Sequence, residues 1–118
     1  MLYNYQYDSI LRQNYSNYRI YFVDDHSENR ALDLFESYVK LLPKKYKSKT
    51  TIIRNAEVKL ALYNRHKTIK NNCRPGDIVL DLDSDDWLIG NQVLNTLSHL
   101  FQNDQSLWLF YSNIISVS

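Results

Sequence analysis

A second cysteine is absent from this sequence. Cys73 stands alone, which excludes an internal disulfide and any multi-cysteine metal site and fits a reducing compartment. Its thiol reads as a small, half-buried apolar side chain. Charge of one sign is also lacking. Fourteen Lys and Arg against thirteen Asp and Glu leave a formal +1, so no net field points to nucleic acid, an anionic membrane surface or an acidic partner. Any charge-based function must be local. No run approaches the ~20 apolar residues of a membrane-spanning helix, and Met1-Leu2-Tyr3-Asn4 lacks a charged-then-apolar leader layout. The chain therefore reads as soluble, with the cytoplasm as the default compartment. Two glycines and two prolines beside ten tyrosines look like the bias of an A+T-rich genome and carry no functional signal. Asn14-Tyr15-Ser16 matches a glycosylation acceptor pattern that an Asn-rich chain produces by chance.

What is present is an alternation. A length of 118 residues with 44% apolar content suits one domain with a single core, or a piece of one. Short β-type runs alternate with helical patterns, the signature of parallel βα units. Residues 7–13 predict a helix carrying Ile10 and Leu11, and 19–23 predict a strand that stops at Asp24-Asp25. Ser27 or Asn29 can cap a following helix with its apolar stripe at Ala31, Leu34, Phe35, Tyr38, Val39 and Leu42, ended by Pro43. Residues 44–49, with four lysines around Tyr46, read as a solvated loop. A strand is expected at 50–53, a helix at 57–72 and a turn at 74–76. Residues 77–83 have the near-continuous apolar character of a strand buried on both faces, interrupted at Asp81. A helix over 91–102 and a strand over 107–111 close the chain.

Two of the expected strands end in acids, Asp24-Asp25 and Asp83/Asp85/Asp86. Ligands of open α/β sheets bind beyond the carboxyl ends of the strands, so parallel strands would bring five carboxylates to one crevice. Such a group repels itself unless a cation sits among it. Oxygen ligands without His or Cys suit Mg²⁺ or Mn²⁺, which bind through one or two carboxylates plus substrate phosphates. The inferred ligand is a metal-chelated nucleotide. Asp81 shares a strand face with Asp83 and requires a partner, for which Arg54, Arg65, Arg74 or the ligand are candidates. His66 and His99 read as helix-surface residues, and His26 follows Asp25 at the crevice.

With those residues in place, the chain resembles family 2 glycosyltransferases of the GT-A fold. Ser9-Ile10-Leu11-Arg12-Gln13-Asn14-Tyr15 with Asn17-Tyr18-Arg19-Ile20 is similar to the family's opening helix-to-strand segment, and Val23-Asp24-Asp25-His26-Ser27 to its "VDDGS" strand end. Arg54-Asn55, Ala61, Asn64 and Ile69 resemble its "N…AxN…I" stretch. The run from Gly76 to Leu88 resembles "GDxIxxLDSDDW", and Phe110-Tyr111-Ser112-Asn113 its "vYSN/D" strand. His26 stands where Gly is usual, and Glu57 where another Gly often sits.

The resemblance implies an α/β fold: a partial GT-A, Rossmann-like, three-layer α/β/α domain with a mainly parallel sheet and its first strand missing. Residues 1–118 would be a single partial domain, the donor-binding half, and the catalytic base would lie outside this chain. It further implies an enzyme that transfers a sugar from a nucleoside-diphosphate sugar to a glycan, lipid or protein acceptor, with no nucleic-acid partner. Asp24, Asp25, Asp83 and Asp86 would hold the donor nucleotide, and Asp83 and Asp85 would bind Mn²⁺ or Mg²⁺ as a DxD motif. Two other readings are weighed: a receiver-like phosphoacceptor domain, which shares an acid pair and a "DIVLLDL"-type strand, and a non-catalytic nucleotide-binding remnant.

Overall fold

Ile20-Tyr21-Phe22-Val23, all β-branched or aromatic, lie in strand β1 (Ile20–Asp24). It pairs in parallel with β2 (Thr50–Arg54), in register from Ile20 opposite Thr50 to Asp24 opposite Arg54. Parallel neighbours need a crossover, here helix α2 (Ala31–Lys40) and the single turn α3 (Lys44–Lys47). That turn occupies the lysine-rich stretch expected as loop. Helix α1 (Leu2–Leu11) precedes the unit, and α4 (Ala61–Asn72) and α5 (Val93–Asn103) come after it. The computed structural model describes residues 2–26, 30–83 and 86–103. Ser27 and Asn29, proposed as caps, and the expected strand over 107–111 lie outside these residues.

The core is aromatic. Tyr7, Leu32, Phe35 and Val39 are buried, with Leu11, Ile20, Phe22, Tyr38, Leu42 and Ile52 packed against them. Tyr7 meets Phe35 edge-on at 5.1 Å, and Phe22 lies 4.5 Å from Phe35, spacings at which ring pairs add to simple burial. The Tyr7 hydroxyl is satisfied by Thr50 Oγ1 at 2.7 Å. The helical stripe of α2 differs from expectation at one position: Leu34 is 60% exposed, and Leu32, at 2%, lines the core instead. Centring the helix on Phe35 for its contacts with Tyr7 and Phe22 turns residue 32, one helical turn earlier, inward and leaves 34 outside.

Ile20, Phe22 and Ile52 thus face α1 and α2. Val23 and Ile53, on the opposite side of the pleat, line a small cavity of about 100 Å³ together with Asn64, Lys67 and Thr68 of α4. Helices on both faces of parallel strands make this an α/β fold, consistent with a partial GT-A, Rossmann-like domain.

The segment expected as a strand buried on both faces, residues 77–83, forms none. It begins at a turn over Arg74–Asp77 closed by Asp77 N–H to Arg74 C=O at 3.0 Å, with Gly76 at φ +93°. Ile78, Val79 and Leu80 are 47, 50 and 43% exposed. A strand requires a neighbour for its N–H and C=O groups, and among the described residues none pairs with this segment.

Candidate functional site

The carboxyl ends of β1 and β2 carry the first half of the site. Asp24, the last residue of β1, is buried, and its carbonyl accepts Asn55 N–H at 2.9 Å. Asp25, one residue on, is half-buried and acts as a hub. Its Oδ1 accepts from Asn55 Nδ2 at 3.0 Å and from Lys59 N–H at 2.7 Å, and its Oδ2 from Leu60 N–H at 2.8 Å. Asn55 Nδ2 also donates to Asn64 Oδ1 at 2.7 Å. One amide therefore clamps the end of β1 to the first turns of α4. The Lys59 N–H foremost, then the Asn55 amide, hold the Asp25 carboxyl down at about 2 although its partial burial works the other way.

Two backbone outliers flank this hub. His26 takes φ +61°, the left-handed region that glycine enters freely, which accounts for the glycine that resembling sequences carry there. Leu60 sits at φ 69°, ψ 165°, a region almost exclusive to glycine and costing about 1–3 kcal/mol. The two bonds from Lys59 and Leu60 to Asp25 hold the chain in this shape at the entrance to α4.

The second half is the acid motif. Asp83 and Asp86 are both exposed and close a turn through Asp86 N–H to Asp83 C=O at 3.0 Å. Asp85 lies outside the described residues. This turn and residues 88–94 beyond it are held by a polar stripe on and just after α1: Gln6, Ser9 and Gln13, all buried and spaced so that they share one helix face. Gln6 Nε2 donates to the Asp83 carbonyl. Ser9 Oγ accepts Leu88 N–H at 3.0 Å and itself donates to Gln6 C=O at 2.6 Å. Gln13 Nε2 donates to Gly90 C=O at 2.8 Å, and its Oε1 accepts Val93 and Leu94 N–H at 2.9 and 3.2 Å, capping α5.

The two acid pairs are positioned differently. Among the described residues no three His, Cys, Asp or Glu side chains gather as a metal-holding group, and Asp85, the fifth of the expected carboxylates, lies outside those residues. Asp24 is buried and Asp25 is half-buried. The motif at 83–86 still offers only carboxylate oxygens among its charged groups, the donor set a hard divalent cation prefers. Asp81 finds its expected partner in Arg65 Nε, while Arg54 turns instead to Asp33 at 2.9 Å and to Glu36. Sequence reading missed the Gln6/Ser9/Gln13 stripe. Its spacing of three and four was visible, but polar residues at that period read as a solvated face.

The sequence model of the family described as Glycosyl transferase family 2 matches residues 6–111. No curated protein and no solved structure matches the chain.

Proposed function

The chain belongs to glycosyl transferase family 2, and on that premise we propose that it binds a nucleoside-diphosphate sugar as donor for transfer to an acceptor hydroxyl. The observation that supports this reading is the convergence of Asp25, Asn55 and Asn64 beyond the carboxyl ends of two parallel strands, the place where open α/β sheets bind ligands. Three protein donors occupy the Asp25 carboxylate, and a carboxylate has about four acceptor positions. One position remains for an N–H of the base or a hydroxyl of the ribose. Asp24 backs this contact from within the fold, and Asp86 completes the donor side at the exposed turn.

Asp83 and Asp85 would hold Mn²⁺ or Mg²⁺, which when bound supplies Lewis-acid neutralisation of the leaving diphosphate. The chain's own contribution is orientation. Gln6 pins the Asp83 carbonyl, so the acid turn is held at a set height against α1. Asn55 fixes the rotamer of the Asp25 side chain, and the strained Leu60 backbone aims its N–H at the same carboxylate.

Calorimetric titration of the full chain with nucleoside diphosphates, with and without Mn²⁺, tests this. Binding should be metal-dependent, and Asp85→Asn and Asp25→Asn should each weaken it about tenfold or more while circular dichroism stays unchanged. Equal binding with and without metal, or no binding by the wild-type chain, would sink the proposal.

A further inference from the structure

The amino end of the sheet carries a feature that the donor reading does not use. Crossover helix α2 runs back across the strands, so its C-terminus meets the start of β2 at the edge opposite the Asp24-Asp25 end. Between them lie Lys40, Lys44, Lys45 and Lys47, all exposed. The formal charge of +1 therefore hides a separation, with cations at one end of the β1–α2–β2 unit and carboxylates at the other. Among the described residues no carboxylate pairs with Lys44, Lys45 or Lys47. Lys40 reaches Glu36 only at 3.9 Å, and Glu36 is engaged by Arg54. Leu41, in the midst of these lysines, is 86% exposed, more than any other large apolar side chain among the described residues. Its neighbour Leu42 packs against the core. The turn beyond is closed by Tyr46 and Lys47 N–H donating to the Pro43 carbonyl at 3.0 and 3.2 Å and by Thr50 Oγ1 donating to the Tyr46 carbonyl at 3.3 Å. The patch is thus a fixed projection of the fold.

We propose that this projection docks the protein peripherally on an anionic lipid bilayer, with Leu41 entering the headgroup region and the lysines around it meeting acidic headgroups. A single exposed leucine is ordinary on a protein surface. One ringed by unpaired cations combines the two attractions of an interfacial segment, apolar contact and charge. Lysine stems lie along apolar surface while their ammonium groups stay in water. Tyr46, half-buried with the Lys45 ammonium 4.8 Å from its ring centroid, adds an amphipathic ring of the kind that bilayer interfaces favour. Charge complementarity alone would also suit a nucleic acid. That partner is disfavoured because the patch holds no arginine fork, its one ring lies under Lys45, and a phosphate backbone gives Leu41 nothing to bury against. Docking at this end leaves the carboxyl ends of the strands turned away from the bilayer.

Co-sedimentation of the full chain with vesicles of phosphatidylcholine alone, and with vesicles that include about 30% phosphatidylserine, tests the proposal. Binding to the anionic vesicles should be about a hundredfold tighter and should fall steeply between about 0.1 and 0.5 M salt. Replacing Lys44, Lys45 and Lys47 together by Gln should weaken it about a hundredfold, since each lysine at an anionic surface contributes about fivefold. Leu41→Ser should weaken binding about fivefold or more while its salt dependence stays. Both variants change exposed side chains, so their circular dichroism and urea midpoints should match those of the wild type. Equal binding to the two kinds of vesicle, full binding by the triple variant, or no effect of Leu41→Ser overturns the proposal. So does tighter binding to polyuridylate or polyglutamate than to the anionic vesicles.

Discussion

Residues 20–23 and 78–82 are written in nearly the same alphabet, Ile-Tyr-Phe-Val against Ile-Val-Leu-Asp-Leu, yet they end in different states. The first is a ladder strand whose side chains reach Phe35, with β2 beside it and α1 and α2 over it. The second forms no strand, and its apolar centre is about half exposed. It is located by its polar residues instead: Arg19 lies 3.7 Å from Asp77, Arg65 pairs with Asp81, and Gln6 holds the Asp83 carbonyl. The difference teaches that β-propensity measures fitness for a half-buried pleated surface. It becomes structure only where a neighbouring strand and a covering layer exist together.

Changing the core should widen that contrast most. Phe35→Ala is expected to cost about 3–5 kcal/mol, enough to unfold the β1–α2–β2 unit of a marginally stable domain, as urea denaturation followed by circular dichroism would show. Next comes the anchor of the other region. Gln13→Ala leaves Gly90, Val93 and Leu94 without a partner and should cost about 1–3 kcal/mol, read as faster amide exchange over residues 88–95 with little change in β1.

Asp25, at the end of the first region, makes stability depend on pH. Its carboxyl falls from an ordinary 3.8 to about 2 in the fold. The stability it confers is therefore complete above about 4 and lost as pH drops towards 2. Asp25→Asn should flatten the acid limb of the stability curve in that window, and an unchanged limb would assign the acid sensitivity elsewhere.

Leu60→Gly should raise stability by about 1 kcal/mol, since the backbone there already has a glycine conformation; thermal melting would show it. The smallest effect is expected at Val79→Thr, within about 0.5 kcal/mol. A loss above about 2 kcal/mol in the same denaturation assay, beyond what an exposed site gives, would mean that residues 78–80 are packed after all and would break the comparison.

Much of this molecule is legible without its structure. The alternation of β-type and helical runs marks an α/β chain with parallel strands, because apolar periods of two and of about 3.6 cannot be satisfied by one kind of element. The same runs mark β1, β2, α2 and α5, and they bring Asp24 and Asp25 to a strand end. The need of Asp81 for a partner is readable as well. Which arginine serves it is not, since three candidates are equivalent in one dimension.

The hub at Asp25 escapes such reading because its donors are backbone N–H groups of Lys59 and Leu60, which have no letter in a sequence. The Gln6/Ser9/Gln13 stripe escapes because a polar helical face looks the same whether it meets water or a neighbouring segment. What the amino-acid order determined by itself is periodicity, strand-end chemistry and family, all properties of local composition. What the tertiary structure decided is which apolar run finds a strand neighbour, that Asp24 is buried while Asp25 gathers donors from the entrance of α4, and that Gln6, Ser9 and Gln13 hold the segment from Asp83 to Leu94. Those outcomes depend on partners tens of residues away along the chain, as Asn55 is from Asp25 and Val93 from Gln13, and long-range pairing is a property of packing that no local pattern encodes.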